Sequence, residues 1–361
     1  KVEVREAKTK SVRLGLIALY ESGKISSGAS AVYEDWNLFR QLWTLQQEVY
    51  AGVGYTDRLA PIASIKGTVN FHNFPVHGLD FLQSGGVEQA LEVGYQRRSA
   101  AYNPSIAWVG WDRHILSVGY RLKFTDYAFS SQAVLDALAA EEDDGILEDP
   151  YLLSILEQSW TYEGRNDPFS PSRGWYWVLQ FAEAGGPFGG DYGFFRVAGE
   201  IRTYRSIVRL GGWDPNVVVA ARLGAGVELP YSADGKGAVP LDERFFLGGG
   251  DTVRGWGYQR LGPRISTSDT AEGGLIRAFG SLELRKDLLW GISAAGFVDA
   301  GRLWDDFSTL NARDIQWTVG GGARYRSVAG PLRLDLGVRL GEDPYGDNPR
   351  VTLHFGLGEA F

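Results

Sequence analysis

The sequence predicts an all-β protein, an antiparallel transmembrane β-barrel of about sixteen strands. Three observations favour this fold. Apolar residues alternate with polar ones along most of the chain, which is the two-residue period of strands with two different faces. No apolar run reaches the roughly 18 residues that a membrane-spanning helix needs. The 361 residues include 48 Gly, 12 Trp and 17 Tyr, which suit the turns and the membrane interfaces of a barrel.

The alternation divides the chain into strands separated mostly by short turns. A late strand shows it best, because Leu332, Leu334 and Leu336 share one face whereas Arg333 and Asp335 share the other. One such strand would also fit a soluble sandwich, but about sixteen in series favour a barrel with a water-filled lumen. We expect strands over residues 11–20, 27–36, 41–55, 61–74, 87–98, 102–111, 114–126, 152–164, 175–184, 192–207, 216–229, 274–286, 289–301, 315–326, 331–341 and 350–361.

One segment departs from the strand period. Residues 131–141 carry apolar side chains at helical spacing and predict a short helix. An acidic cluster from Glu141 to Asp144 ends it. This cluster could bind divalent cations near lipopolysaccharide, but a solvated loop is the simpler interpretation.

Composition and motifs argue against several classes of function. A formal charge of -8 argues against nucleic acid as the main partner, and the absence of cysteine excludes disulfides and thiolate metal sites. His72, His77 and Asp80 could suggest a metal site, but they flank Pro75 in a predicted turn. Carboxylates on the lumen side follow from strand alternation, and no Gly-x-Ser-x-Gly motif occurs. We predict no catalysis, no cofactor and no metal.

Residues 244–263 form a glycine-rich stretch that also carries large aromatic side chains. The glycines permit tight turns with positive φ, and the aromatic rings give the loop something to pack with. A flexible linker would lack those rings, so we expect an ordered, buried loop with Arg254 near its centre. The stretch lacks both the Gly-Lys-Ser/Thr ending of a P-loop and the Gly-x-Gly-x-x-Gly spacing. A strand rather than a helix follows it, so nucleotide binding is not expected.

A carboxylate on a later strand is the expected partner of Arg254. In the segment Phe297-Val-Asp-Ala-Gly301, alternation places Phe297, Asp299 and Gly301 on the face opposite to Val298. The apolar face should meet lipid, so Asp299 should point into the lumen. A bidentate contact between the guanidinium and this carboxylate would fix the position of the loop. The alternative is that Asp299 is a hydrated lumen residue with no special partner.

The glycine-rich loop also resembles a family signature. Val253-Arg-Gly-Trp256, placed between Phe-Phe-Leu-Gly-Gly-Gly and Leu-Gly-Pro263, resembles the Val-Arg-Gly-Phe/Tyr motif of the BamA/TamA outer-membrane assembly superfamily. The resemblance covers nearly the whole chain, includes the turn at residues 165–174, and is strongest to the barrel of the TamA branch. It implies a long loop between strands 11 and 12 that folds into the lumen. The loop-latch residues that it implies are Val253, Arg254, Gly255, Trp256, Phe297, Asp299 and Gly301.

The resemblance implies a domain organisation as well. Residues 1–10 would be the end of a preceding periplasmic POTRA domain or a linker, and residues 11–361 would be the transmembrane barrel. An exposed N-terminal tail is the alternative for residues 1–10.

Closure of the barrel requires the first strand to meet the last. Gly15, Gly356 and Gly358 would weaken pairing there and permit a bend. The resemblance implies a lateral gate at this seam, whereas an ordinary, fully paired seam is the alternative. Phe361 resembles the C-terminal assembly signal of bacterial outer-membrane barrels and would also suit an interface anchor. The expected seam residues are Val12, Leu14, Gly15, Leu16, Phe355, Gly356, Leu357 and Gly358.

The function that the resemblance implies is that of an insertase in the outer membrane of a Gram-negative bacterium. It would assist the assembly of β-barrel or autotransporter proteins by opening its seam and templating strands. A BamA-type general assembly core and a two-partner polypeptide-secretion pore are the alternatives, and an ordered loop disfavours a passive porin. The expected partners are membrane lipid and lipopolysaccharide, client outer-membrane proteins, and a periplasmic or inner-membrane accessory protein reached through POTRA domains.

Overall fold

The computed structural model of the protein describes residues 8–56, 58–129, 150–207, 217–231, 239–265, 270–327, 330–346 and 348–361. In this part of the chain, no helix is long and apolar enough to cross a membrane. The predicted short helix, the acidic cluster and residues 1–7 lie outside the described residues. The strands are β1 (Lys10–Glu21), β2 (Lys24–Leu38), β3 (Trp43–Tyr55), β4 (Leu59–Phe71), β5 (Leu79–Glu92), β6 (Tyr95–Trp111), β7 (His114–Phe129), β8 (Tyr151–Glu163), β9 (Arg173–Ala184), β10 (Phe194–Ile207), β11 (Val217–Pro230), β12 (Ile276–Asp287), β13 (Ile292–Trp304), β14 (Gln316–Ser327), β15 (Gly330–Arg339) and β16 (Val351–Leu357).

These strands form one 16-stranded antiparallel sheet in which each strand pairs with its neighbours in the sequence. The sheet curls until Cα atoms of β1 and β16 lie within 8 Å of each other. Among the described residues, however, no ladder of backbone hydrogen bonds joins these two strands. The prediction of an all-β antiparallel barrel of about sixteen strands is confirmed, and the barrel is nearly closed.

The two faces of the sheet differ as the alternation predicts. On β15, Leu334 and Leu336 are each 46% exposed on the outer face, whereas Asp335 is fully buried on the lumen face and Arg333 nearly so. The apolar side chains on the outer face are stable in contact with lipid. The charged side chains on the lumen face are buried, so they need partners of opposite charge.

The turn between β5 and β6 corrects one predicted boundary. We expected strands over residues 87–98 and 102–111, but the chain reverses at Val93-Gly94, about six residues earlier than predicted. Gly94 has a φ of 89°, and a Cβ there would lie 1.7 Å from the hydroxyl oxygen of Thr270. The turn therefore needs glycine, whereas the Ser-Ala-Ala at 99–101 has no glycine to adopt a positive φ and continues the strand.

The last strand is shorter than expected. It was predicted to reach residue 361, but β16 ends at Leu357. Gly358 has a φ of 91°, which a residue with a side chain rarely adopts, and it turns the chain away from the strand direction. The last residues thereby enter the lumen, where Ala360 and Phe361 are buried against Tyr204 and Ala220.

Between β11 and β12, residues 239–265 and 270–275 lie inside the barrel. Three isolated antiparallel bridges join parts of this segment, Phe245 with Gly274, Leu247 with Leu261, and Arg264 with Ala271, so the chain reverses direction more than once. Its apolar side chains Leu247, Val253, Trp256 and Leu261 pack against residues of the barrel wall, Ala198, Phe279 and Leu303. Burial of this kind stabilises one position of the loop.

Candidate functional site

The guanidinium of Arg254 lies at the centre of a buried charge cluster on the walls formed by β12, β13 and β15. Its Nε and Nη2 atoms donate to the two oxygens of Asp299 at 2.8 and 2.9 Å, and its backbone N–H donates to Asp299 at 3.0 Å. Nη1 donates to Glu283 at 2.5 Å and to Asp335 at 3.2 Å. The ring centroid of Phe297 lies 3.4 Å from the guanidinium carbon. Nη2 also donates to the hydroxyl oxygen of Ser281 at 3.2 Å, so all five N–H groups of the guanidinium have acceptors.

The charges around Arg254 are balanced by further arginines. Arg324 donates to Asp335 at 2.5 Å, and Arg285 donates to Glu283 at 2.6 Å. Burial opposes the charge of Arg254. Its hydrogen bonds to Asp299 and the nearby carboxylates outweigh that effect, so the pKa of Arg254 lies above its ordinary value. The guanidinium of Arg254 therefore stays charged, and its ion pairs hold the loop against the wall of the barrel.

The glycines of both motifs allow the loop and the wall to approach closely. Gly255 has a φ of 99°, and a Cβ on Gly337 of β15 would lie 2.4 Å from the backbone nitrogen of Gly255. A Cβ on Gly301 would lie 2.7 Å from Val253 Cγ2. Trp256, which is 2% exposed, packs beneath the guanidinium of Arg339 at 4.5 Å. The structure thus brings together all seven residues of the expected loop latch.

A second cluster, which no sequence motif predicted, holds the part of the loop that precedes Arg254. Glu243 accepts hydrogen bonds from Arg121 at 2.7 Å and Lys123 at 2.9 Å, and Arg196 approaches at 3.3 Å. Its carboxyl is buried, which alone would raise its pKa, but these three cations hold the pKa of Glu243 well below the ordinary value. We call Asp242 and Glu243 the loop anchor.

Asp242 completes the loop anchor. Its carboxylate accepts from Tyr127 at 2.6 Å and from Lys123 at 2.5 Å, and it also accepts from Tyr151. The alternation of β7 offered a clue, because it places Arg121, Lys123 and Tyr127 on one lumen face opposite two adjacent loop acids. No feature of the sequence links these donors to Asp242 and Glu243, which lie more than a hundred positions further along the chain.

The expected seam residues lie on the facing edges of β1 and β16. Leu14 and Leu16 are 80% and 91% exposed on the outer face of β1, and Phe355 and Leu357 are 44% and 60% exposed on β16. Val12 shares the outer face with Leu14. These side chains face lipid beside an edge that, within the described residues, makes no ladder.

The seam glycines make room for neighbouring groups rather than only weakening the strand. A Cβ on Gly356 would lie 2.9 Å from Nη2 of Arg333, and one on Gly15 would lie 3.0 Å from the hydroxyl oxygen of Ser30. Gly358 supplies the turn described above.

Phe361 lies in the lumen, 5% exposed. Its ring centroid is 6.3 Å from that of Tyr204, and its carbonyl oxygen accepts from Arg285 at 3.1 Å. Glu359 pairs with Arg324 at 3.1 Å. An interface anchor would project to the outer surface, so this position does not suit that role.

The histidines considered for a metal site lie apart from the lumen clusters. His72 Nδ1 is 3.0 Å from a carboxylate oxygen of Asp80, and the partner oxygen accepts from the backbone N–H of Asn73 at 3.0 Å. These bonds hold the β4–β5 turn. In the described parts of the chain, no group of three metal-ligating side chains is assembled.

Known proteins are similar to this chain in sequence and in fold. The family model of the Omp85 superfamily domain matches residues 46–361. The outer membrane protein assembly factor BamA of Nitratidesulfovibrio vulgaris is 29% identical over 259 residues, which are 70% of this chain and 30% of that protein. The sorting and assembly machinery component 50 homolog A of Xenopus laevis is 28% identical over 189 residues, 52% of this chain and 38% of that protein. The chain thus spans only about a third of these curated relatives.

Solved structures show the same fold. BamA from Haemophilus ducreyi lacking POTRA domains 1-3 superposes with a TM-score of 0.76 at 15% identity, covering 97% of this chain and 70% of that one. CdiB from Acinetobacter baumannii gives a TM-score of 0.61 at 14% identity, covering 96% of this chain and 59% of that one. With a family match over most of its length and this barrel, the chain belongs to the Omp85 superfamily as a β-barrel of the Gram-negative outer membrane.

Proposed function

We propose that this barrel is an insertase that assists the assembly of outer-membrane β-barrel or autotransporter proteins. It opens its seam sideways and offers the edge of β1 as a template for an incoming strand. Strand addition needs no chemical energy source, because the new backbone hydrogen bonds and lipid-facing side chains supply the driving force.

The observation that carries this proposal is the seam. Backbone groups exposed to hydrocarbon are costly, so a barrel that serves only as a pore is expected to close its sheet completely. Here β1 and β16 lie side by side, yet the described residues show no ladder between them. Client strands that lack partners of their own would be stabilised by pairing with such an edge.

The loop supports an insertase over an open pore. Arg254 and the loop anchor hold residues 242–254 against the lumen wall, which suits a barrel that acts on its clients at the wall. A two-partner secretion pore must clear a path for a polypeptide through the lumen. The resemblance to CdiB extends to the fold alone.

A BamA-type general assembly core is the second candidate. The 29% identity to a BamA protein favours it, whereas the resemblance of residues 250–263 to the TamA branch favours a role with autotransporters. Accessory partners would dock on POTRA domains preceding residue 11, and lipopolysaccharide would contact the outer rim. Proteoliposomes supplied with either an unfolded porin or an autotransporter barrel distinguish the two candidates by which client folds faster.

Disulfide locking of the seam tests the proposal. The chain has no cysteine, so Leu14→Cys or Leu16→Cys can be combined with Leu353→Cys or Phe355→Cys and oxidised in bilayers. We expect the pair that crosslinks to lose client insertion when oxidised and to regain it on reduction. Undiminished insertion by a fully crosslinked sample would contradict lateral opening.

A matched control places the same crosslink within a paired ladder. Val118 and Gln158 are partners between β7 and β8, far from the seam in strand order. The Val118→Cys/Gln158→Cys variant should insert clients equally well when oxidised and when reduced. Crosslinking of client chains to single cysteines in β1 would identify the templating edge.

A further inference from the structure

The seam has no ladder among the described residues, yet β1 and β16 lie close together, so other contacts must hold them. The outer side chains on both edges face lipid and do not bridge the gap. Contacts on the lumen side remain, and one short stretch of the loop supplies them.

On the β16 side, the loop is held by two hydrogen bonds to Gly255. Its backbone N–H donates to Nε2 of His354 at 3.1 Å, and its carbonyl oxygen accepts from the hydroxyl of Thr352 at 3.1 Å. His354 and Thr352 are 1% and 2% exposed, so no water competes for these bonds. The side chains on the lumen face of the last strand are thus committed to the loop.

On the β1 side, the same stretch is held by Tyr258. Its backbone N–H donates to the carbonyl oxygen of Ser22, in the turn between β1 and β2, at 2.7 Å. The ammonium of Lys24 lies 4.6 Å from the centroid of the Tyr258 ring. Glu92 joins both residues, because it pairs with Lys24 at 2.9 Å and accepts from the Tyr258 hydroxyl at 3.3 Å.

We infer that residues Gly255 to Tyr258 form a bridge across the seam, with Thr352, His354, Ser22 and Lys24 as positioning residues that set the resting separation of β1 and β16. Three residue steps span at most about 11 Å, so this segment cannot follow both strands if they part by much. Opening must break one side of the bridge. This inference rests on the proposed function only in giving that opening a purpose.

The bond that joins the bridge to β16 is weaker than the neighbouring contact of Arg254. Arg254 is held by ion pairs to Asp299, whereas Gly255 is held by hydrogen bonds between neutral groups, which are roughly half as strong. The β16 side can therefore release while Arg254 keeps the loop on the wall. The last strand then becomes free to move away from β1.

Distance measurements across the seam test the bridge. Ala29 on β2 and Leu336 on β15 lie one strand back from the seam and face outward, so Ala29→Cys and Leu336→Cys accept spin labels without touching the bridge. In bilayers, the labelled protein should give one narrow distance distribution. Adding Thr352→Val and His354→Leu should broaden it and lengthen its mean by about one strand spacing, 5 Å.

Two further variants make the result specific. His354→Gln retains a hydrogen-bond acceptor and should restore the narrow distribution in part. Lys24→Met with Tyr258→Ala weakens the bridge from the β1 side, and it should lengthen the same distance even if the β16 variant folds poorly. Thr125→Val, a buried threonine of β7, is the matched control and should change nothing.

Unchanged distance distributions in both the β16-side and the β1-side variants would overturn the bridge. Client insertion measured on the same samples separates this inference from the proposed function. A longer distance with unaltered insertion supports the bridge and contradicts the insertase proposal. An unaltered distance overturns the bridge whatever the insertion rate shows.

Discussion

The two clusters that hold the lumen loop surround loop residues of opposite charge. Arg254 is a loop cation surrounded by the carboxylates of Glu283, Asp299 and Asp335, whereas Glu243 is a loop anion surrounded by Arg121, Lys123 and Arg196. If the loop were inserted the other way round, like charges would meet on both walls. The difference teaches that charge specifies the orientation of the loop, while apolar packing supplies much of its burial.

Removal of Arg254 should give the largest effect. Arg254→Ala leaves three buried carboxylates without their central partner, and breaking a buried ion pair in this way costs about 3–5 kcal/mol. We expect faster backbone hydrogen exchange across residues 244–263 and higher ion conductance in planar bilayers. Exchange and conductance like those of the unaltered protein would show that the latch does not hold the loop.

Neutralisation of Glu243 should cost less, because Asp242 still faces Lys123. Glu243→Gln should lower the free energy of unfolding by about 2 kcal/mol, the size expected for hydrogen bonds to a charged group. The double variant with Arg254→Ala tests whether the two clusters are independent. Additivity within about 0.5 kcal/mol is expected for clusters that share no partner, and a larger coupling would mean that the loop releases as a unit.

Closer packing at the latch should have a moderate effect. Gly337→Ala places a methyl group 2.4 Å from the Gly255 nitrogen, and such overpacking costs about 1–3 kcal/mol. Gly296→Ala on β13 is the matched control, since a Cβ there would meet no described atom within 4 Å. Urea unfolding of both variants should separate them, and equal stabilities would argue against tight contact between loop and wall.

The smallest expected effect is the pH dependence of the loop anchor. Because the folded pKa of Glu243 is lowered, its contribution is present above the unfolded pKa and is lost as pH falls through the folded pKa. The stability difference between the unaltered protein and Glu243→Gln should therefore stay constant from pH 8 to about pH 4.3 and shrink below it. Urea titrations at several pH values measure this difference. A difference that already shrinks near neutral pH would contradict the lowered pKa.

Local patterns predicted much of this molecule, and long-range geometry accounts for what they missed. Alternation located the strands because the two faces of each strand meet lipid and lumen, and the turn at Gly94 was missed because its glycine stood inside an alternating run. Arg254 and Asp299 could be paired because each stands in a recognisable motif. Asp242 and Glu243 stand in none, and their partners are set by how the loop folds back onto β7 inside the barrel.

The state of the seam depends on closure geometry, which no single strand encodes. Gly15, Gly356 and Gly358 permit a weak seam but equally fit a paired one. The inward turn of the last residues required a positive φ at Gly358, and a glycine near a chain end does not reveal in advance that it will be used in this way.

The unequal lengths of the two edge strands have a further consequence. β1 has 12 residues and β16 has 7, so even a perfect zipper between them would leave five residues of β1 unmatched. Under the proposed function, these unmatched residues of β1 would give an incoming strand its first place to pair. The incoming strand would then displace β16 from β1 one residue pair at a time. The seam would at no stage be open along its whole length.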